Sequence, residues 1–246
     1  MADIDPSSNP SGGDPFIGSF SAGAHVIDQG LRTHMLKVYN YMAAALGLTG
    51  LVAYLVAQSP EMIHAIYGTP LQWVVMLAPL GFVLWLGFGI RGMSAATAQV
   101  VFWVYSAVMG LSLSSIFLLY TDASIARAFL VSGGTFAAMS LWGYTTKRDL
   151  SGMGSFLMMG VFGLIIAMFA NMFFHSTGLE FAISVIGVLL FTGLTAFDTQ
   201  KIKVMYNQAW GTESNQKLAI MGALNLYLDF INLFMFLLRF MGSRRS

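Results

Sequence analysis

The chain has 246 residues, of which 57% are hydrophobic and only 9% charged. A soluble domain carries about 25% charged residues, so a water-facing surface of this size cannot be dressed and a soluble enzyme is excluded. The net charge of +1 gives no basis for bulk nucleic-acid binding, and the lack of cysteine removes disulfides, thiol catalysis and thiolate metal sites.

Residues 1–30 are rich in Pro, Gly, Ser and Asp and carry no helical period, which predicts a disordered tail. The tail has no basic start followed by an apolar core, so it does not read as a cleaved signal peptide. From Val38 onward, apolar runs alternate with short polar breaks. A bilayer-spanning helix needs ~20 apolar residues. That length places spans at 38–57, 71–90, 98–120, 127–144, 155–174, 181–199 and 218–239. Runs such as Phe181–Leu190 lack the polar alternation of a membrane β-barrel. The prediction is an all-α, polytopic bundle of seven transmembrane helices, with residues 31–246 forming one domain.

Lys and Arg counts in the connectors give the orientation. With the tail inside, Arg32, Lys37, Arg91, Lys147, Arg148, Lys201, Lys203 and Lys217 lie on the cytoplasmic side. Arg127, Arg239, Arg244 and Arg245 lie outside. The larger group favours a cytoplasmic N-terminus. The three C-terminal arginines oppose it, and a late segment that re-enters without crossing is the alternative to seven full spans. Close helix contacts are expected at small residues: Gly110 with Ser114, Ser132–Gly133–Gly134, and the glycines 152, 154, 160 and 163.

A carboxylate at the centre of a membrane helix costs about 2.5–3.5 kcal/mol even on the mildest scale, so acids found there are informative. Only Asp198 and Asp229 lie away from the tail and connectors. Asp229 falls ~16 Å along a helix that starts at Leu218, near mid-bilayer. Asn225 and Asn232 share its face. Such a stripe either glues helices together or faces a water-filled cavity. Asp198 sits at the inner end of the sixth span, with Thr195 and Thr192 on a drifting polar edge. It is either a solvated helix end beside Lys201 or a partner for Asp229, since the last two spans are neighbours in sequence. Two carboxyls meeting in a desolvated site cannot both stay ionised cheaply, which makes the pair proton-sensitive. Ionised, the pair would repel or attract a cation. Calcium takes six to eight oxygen ligands, so two aspartates make a transient contact rather than a cage. Arg91 ends the second span on the same side and either pairs with these acids or snorkels to headgroups. No histidine lies inside a predicted span, so a Ser–His hydrolase or histidine-ligated haem has no base or ligand there.

Three stretches carry a family resemblance: TGLTAFDTQKIK (192–203), LYLDFINLFMFLLRF (226–240) and GYTTKRDLSGMGS (143–155). They are similar to the bacterial Bax inhibitor-1 family, also called the transmembrane Bax inhibitor motif family. The similarity extends over about residues 30–244. The resemblance implies a seven-helix membrane protein that is not an enzyme and binds no cofactor. It implies a pH-sensitive calcium leak channel of the inner membrane, with Asp198 and Asp229 as sensor and cation contact. It also implies Arg91 as latch partner, in a sequence setting less charged than in some members. Asn225, Asn232 and Thr195 would be the polar, pore-facing residues. Some bacterial relatives associate with a membrane-anchored AAA protease, so the alternative is a non-conducting regulator of such a partner.

Overall fold

The computed structural model describes the backbone of residues 15–90, 92–207 and 211–245, with side chains from Gln29 onward. Among these residues the elements are helices: α1 (Pro15–Ala57), α2 (Pro60–Tyr67), α3 (Leu71–Gly89), α4 (Ala95–Leu113) and α5 (Ile116–Leu119). They continue with α6 (Asp122–Thr145), α7 (Ser151–Phe174), α8 (Thr177–Met205) and α9 (Gly211–Met241). Seven of the helical stretches are long and apolar enough to cross a membrane, in the order the sequence predicts. Residues 1–14 of the expected tail lie outside the described residues. α1 starts at Pro15, within the stretch read as tail, and no proline follows Pro15 before the apolar run.

Side-chain caps set several helix starts. Ser59, Ser94, Thr121 and Ser176 each accept an amide hydrogen bond from the first turn of α2, α4, α6 and α8. The third span, expected unbroken over 98–120, breaks at Ser114–Ser115. There the Ser114 hydroxyl donates back to Leu111 O at 2.7 Å, and the Tyr67 hydroxyl reaches the same carbonyl at 3.0 Å. Side-chain donors thus compete for carbonyls the helix would otherwise use.

α9 is the axis of the bundle. Of its most apolar stretch 72% is buried, against 11% in α7, and it packs against α1, α4, α6 and α8. α3 leans on α4 and α7 on α8. Their outer faces present large apolar side chains such as Phe88 and Phe173, exposed by 84% and 78%, as expected for lipid contact. Lipid is as apolar as leucine, so association relies on close packing. A Cβ on Gly110 would lie 2.7 Å from Thr49 O of α1, and one on Gly143 would collide with the Ala196 backbone of α8. Gly154 and Gly160 likewise face Phe197 and Leu190. The seam expected at Gly133–Gly134 is absent, as is close contact at Gly152 and Gly163: these positions open onto free space, and only Ser132 beside them is buried.

The C-terminal residues form a strap across the start of α6. Ser243 O accepts from Thr121 N at 3.1 Å, Arg245 N donates to Leu119 O at 2.9 Å, and Ser243 N donates to the Ser124 hydroxyl at 2.9 Å. Arg245 pairs with Asp122 at 2.8 Å and Arg244 with Glu180 at 3.4 Å. Two of the three arginines that oppose the charge count therefore have acidic partners at this end. Both ion pairs are largely solvent-exposed, so Arg245→Gln is expected to cost less than about 1 kcal/mol in chemical denaturation of the detergent-solubilised protein.

Candidate functional site

α8 and α9 form an antiparallel hairpin whose register is fixed by small-to-large contacts. Gly222 receives Ile202, Gly187 receives Phe236, and the Phe191 and Phe236 rings stack with centroids 5.7 Å apart. Between these contacts the carboxyl groups of Asp198 and Asp229 meet, within hydrogen-bonding reach of each other. Asp229 is 5% exposed, and its Oδ2 has no hydrogen-bond partner among the described residues. Asp198 is half-buried, and Lys201, one turn further along α8, is close enough to act on its charge.

The position of α8 also depends on the remaining motif stretch, residues 143–155. The 146–150 connector is clamped onto α8: Gln200 Oε1 accepts from Leu150 N and its Nε2 donates to Arg148 O, both at 2.8 Å. Lys203 Nζ donates to Tyr144 O at 2.7 Å and lies over the Tyr144 ring. With Gly143 against Ala196 and Gly154 against Phe197, residues 143–155 and 192–203 are two halves of one clamp. That clamp fixes the height and rotation of Asp198.

Two hydroxyl chains tie the helices that carry the acid pair to the rest of the bundle. Thr199 donates to Thr195 O at 2.7 Å, so its oxygen accepts from Ser140 at 3.0 Å, and Ser140 accepts from Tyr39 at 2.6 Å. This chain ties α1, α6 and α8 one residue away from Asp198. On the other side Thr49 donates to Ser106 O at 2.8 Å and accepts from Tyr227 at 2.7 Å. Tyr227→Phe leaves Thr49 bonded to Ser106, and is expected to lower stability in detergent unfolding by only about 1 kcal/mol. Neither chain is legible in the sequence, because their members are scattered over five helices. The one local hint was the spacing of Thr195, Asp198 and Thr199.

The other predicted residues are placed as follows. Asn225 lines a cavity of about 520 Å³ between α1, α3, α8 and α9, at the end of the bundle that carries Lys201 and Lys217. Asn232, whose Nδ2 donates to Leu228 O at 2.8 Å, lines a second cavity of about 450 Å³ toward the opposite end, between α3, α4, α7 and α9. Asp229 lies between the two on the same arc of α9. Pro79, buried in α3, lines the second cavity. Thr195 is wholly buried, with its hydroxyl donating to Phe191 O at 2.8 Å. The predicted latch, Arg91, lies outside the described residues. Among the described residues no three His, Asp or Glu side chains cluster as a metal site.

Seven helices long and apolar enough to cross a membrane, packed with a buried aspartate in their interior, define a polytopic α-helical membrane protein. The family model described as "Inhibitor of apoptosis-promoting Bax1" matches residues 31–246, and the chain belongs to this Bax inhibitor-1 family. A Rickettsia prowazekii protein is 52% identical over 219 residues, which covers 89% of this chain and 93% of that protein. The inner membrane protein YbhL of Escherichia coli K12 is 46% identical, covering 88% and 94%. A Caulobacter vibrioides protein is 44% identical, covering 89% and 92%.

Proposed function

We propose that the protein is a pH-sensitive, calcium-permeable leak pathway, with Asp198 and Asp229 as proton sensor and cation contact. The observation that supports this reading is the meeting of two carboxyls inside the bundle, on a helix face whose ends open on separate cavities. A proton shared between the carboxyls holds α8 against α9 and leaves the two cavities unconnected. Loss of that proton puts two like charges side by side in a poorly solvated site, which drives the helices apart unless a cation enters. Calcium accepts carboxylate oxygens and completes its shell with water and backbone carbonyls, so occupancy at a two-acid site is brief. Arg91 is the candidate latch partner for the ionised pair. The match to YbhL supports placement in the inner membrane, and the lysine and arginine distribution supports a cytoplasmic N-terminus.

Calcium flux into liposomes reconstituted with the protein, measured across a pH series, tests the reading. Flux that changes with pH in the wild type and is flat in the Asp198→Asn, Asp229→Asn double variant is the expected result. A wild-type pH response in the double variant refutes it.

A further inference from the structure

The cavity at the basic end has a chemistry that the acid pair does not use. It is lined by Lys201, Lys217, His34, Asn225 and Ser214, and no acid is among the described residues lining it. His34 is 5% exposed, and its Nε2 has no hydrogen-bond partner among the described residues. A buried polar nitrogen without a partner is costly, and here it borders a space large enough for a ligand. The acids nearby offset this charge only in part. Glu213 pairs with Lys217 at 3.6 Å and is 67% exposed at its side chain, and Asp198, which acts on Lys201, also faces Asp229. Two lysines, one buried ring nitrogen and two neutral polar side chains thus line the cavity from α1, α8 and α9.

We infer that this cavity binds a phosphate-class anion, either free phosphate or the phosphate of a lipid headgroup. A tetrahedral dianion offers acceptors in several directions and matches donors arriving from three helices, whereas a planar carboxylate would satisfy fewer of them. Lys217 and Lys201 supply the charge, and His34 Nε2–H and the Asn225 amide supply direction. On the proposed function, which this consequence alone rests on, a bound anion offsets the lysine charges that would otherwise repel calcium at the mouth of the pathway.

The test is binding to the full-length, delipidated protein in detergent, independent of flux. Calorimetry with inorganic phosphate at fixed ionic strength is expected to give saturable binding, with chloride as the control. Lys217→Gln and His34→Gln should each weaken it about tenfold or more, the effect of removing one charge-assisted hydrogen bond. Lys217→Arg should retain binding, and unchanged thermal unfolding shows that each variant is folded. In a second arm, native mass spectrometry measures retention of phosphatidic acid against phosphatidylcholine. Retention that depends on Lys217 and His34 without phosphate binding assigns the site to the headgroup. Binding of both probes that is indifferent to the two substitutions, or no binding of either, overturns the inference.

Discussion

Gly143→Ala is expected to destabilise the protein by about 1–3 kcal/mol, toward the upper end of the range for overpacking a filled interface. The new methyl group meets the Ala196 carbonyl and Cα of α8, which are backbone atoms and cannot turn aside as a side chain would. The helices must then separate, which strains the Tyr144–Lys203 and Leu150–Gln200 bonds next to the contact. Gly133→Ala, ten residues earlier on α6, is the matched control. Its Cβ enters free space, so the gain in helix propensity should leave stability unchanged or raise it by up to about 1 kcal/mol. Chemical denaturation of both variants in mild detergent checks the contrast. Because Asp198 is two residues from Ala196 in sequence, Gly143→Ala should also blunt the pH response of calcium flux at temperatures where the protein remains folded.

The single aspartate variants should have the largest effect on function. Asp198→Asn and Asp229→Asn each leave one carboxyl facing an amide. Neither variant can share a proton between two carboxyls or offer a cation two charged ligands. Each is expected to lower calcium flux at its most permissive pH by about tenfold or more, equivalent to about 1.4 kcal/mol in the barrier. The two are not equivalent. Asp229 is buried and has an oxygen without a partner among the described residues, whereas Asp198 is half-buried and interacts with Lys201. Asparagine at 198 therefore retains more access to water, and the residual flux should be greater for Asp198→Asn than for Asp229→Asn. Liposome flux measured in parallel gives this order directly.

Much of this architecture can be read from composition and spacing, because the bilayer imposes a length and an apolar requirement on each crossing. The polar arc of Asn225, Asp229 and Asn232 was equally legible, since three polar residues at helical spacing stand out in an apolar stretch. What a single sequence lacks is the pairing between helices. Nothing local indicates that Tyr39 reaches Ser140, that Thr49 reaches Tyr227, or that Gly143 rather than Gly133 is the closely packed glycine of α6. The break at Ser114–Ser115 depends on Tyr67 arriving from α2 and was hidden for the same reason. The three C-terminal arginines were read only as charges, and the partners of Arg244 and Arg245 lie on α8 and α6, far away along the chain. The clamp between residues 143–155 and 192–203 gives a physical reason for those stretches to occur together: one positions the acid that the other contains.

Infrared difference spectroscopy of the carboxyl groups, recorded as calcium is added to the reconstituted protein, is the most direct measurement of proton-for-cation exchange at the acid pair. The account predicts the carbonyl stretch of a protonated carboxyl that disappears on calcium addition and is missing from this difference spectrum in both Asp198→Asn and Asp229→Asn. A calcium-sensitive band that survives in both variants, or a wild-type spectrum in which calcium changes no carboxyl band, would contradict it.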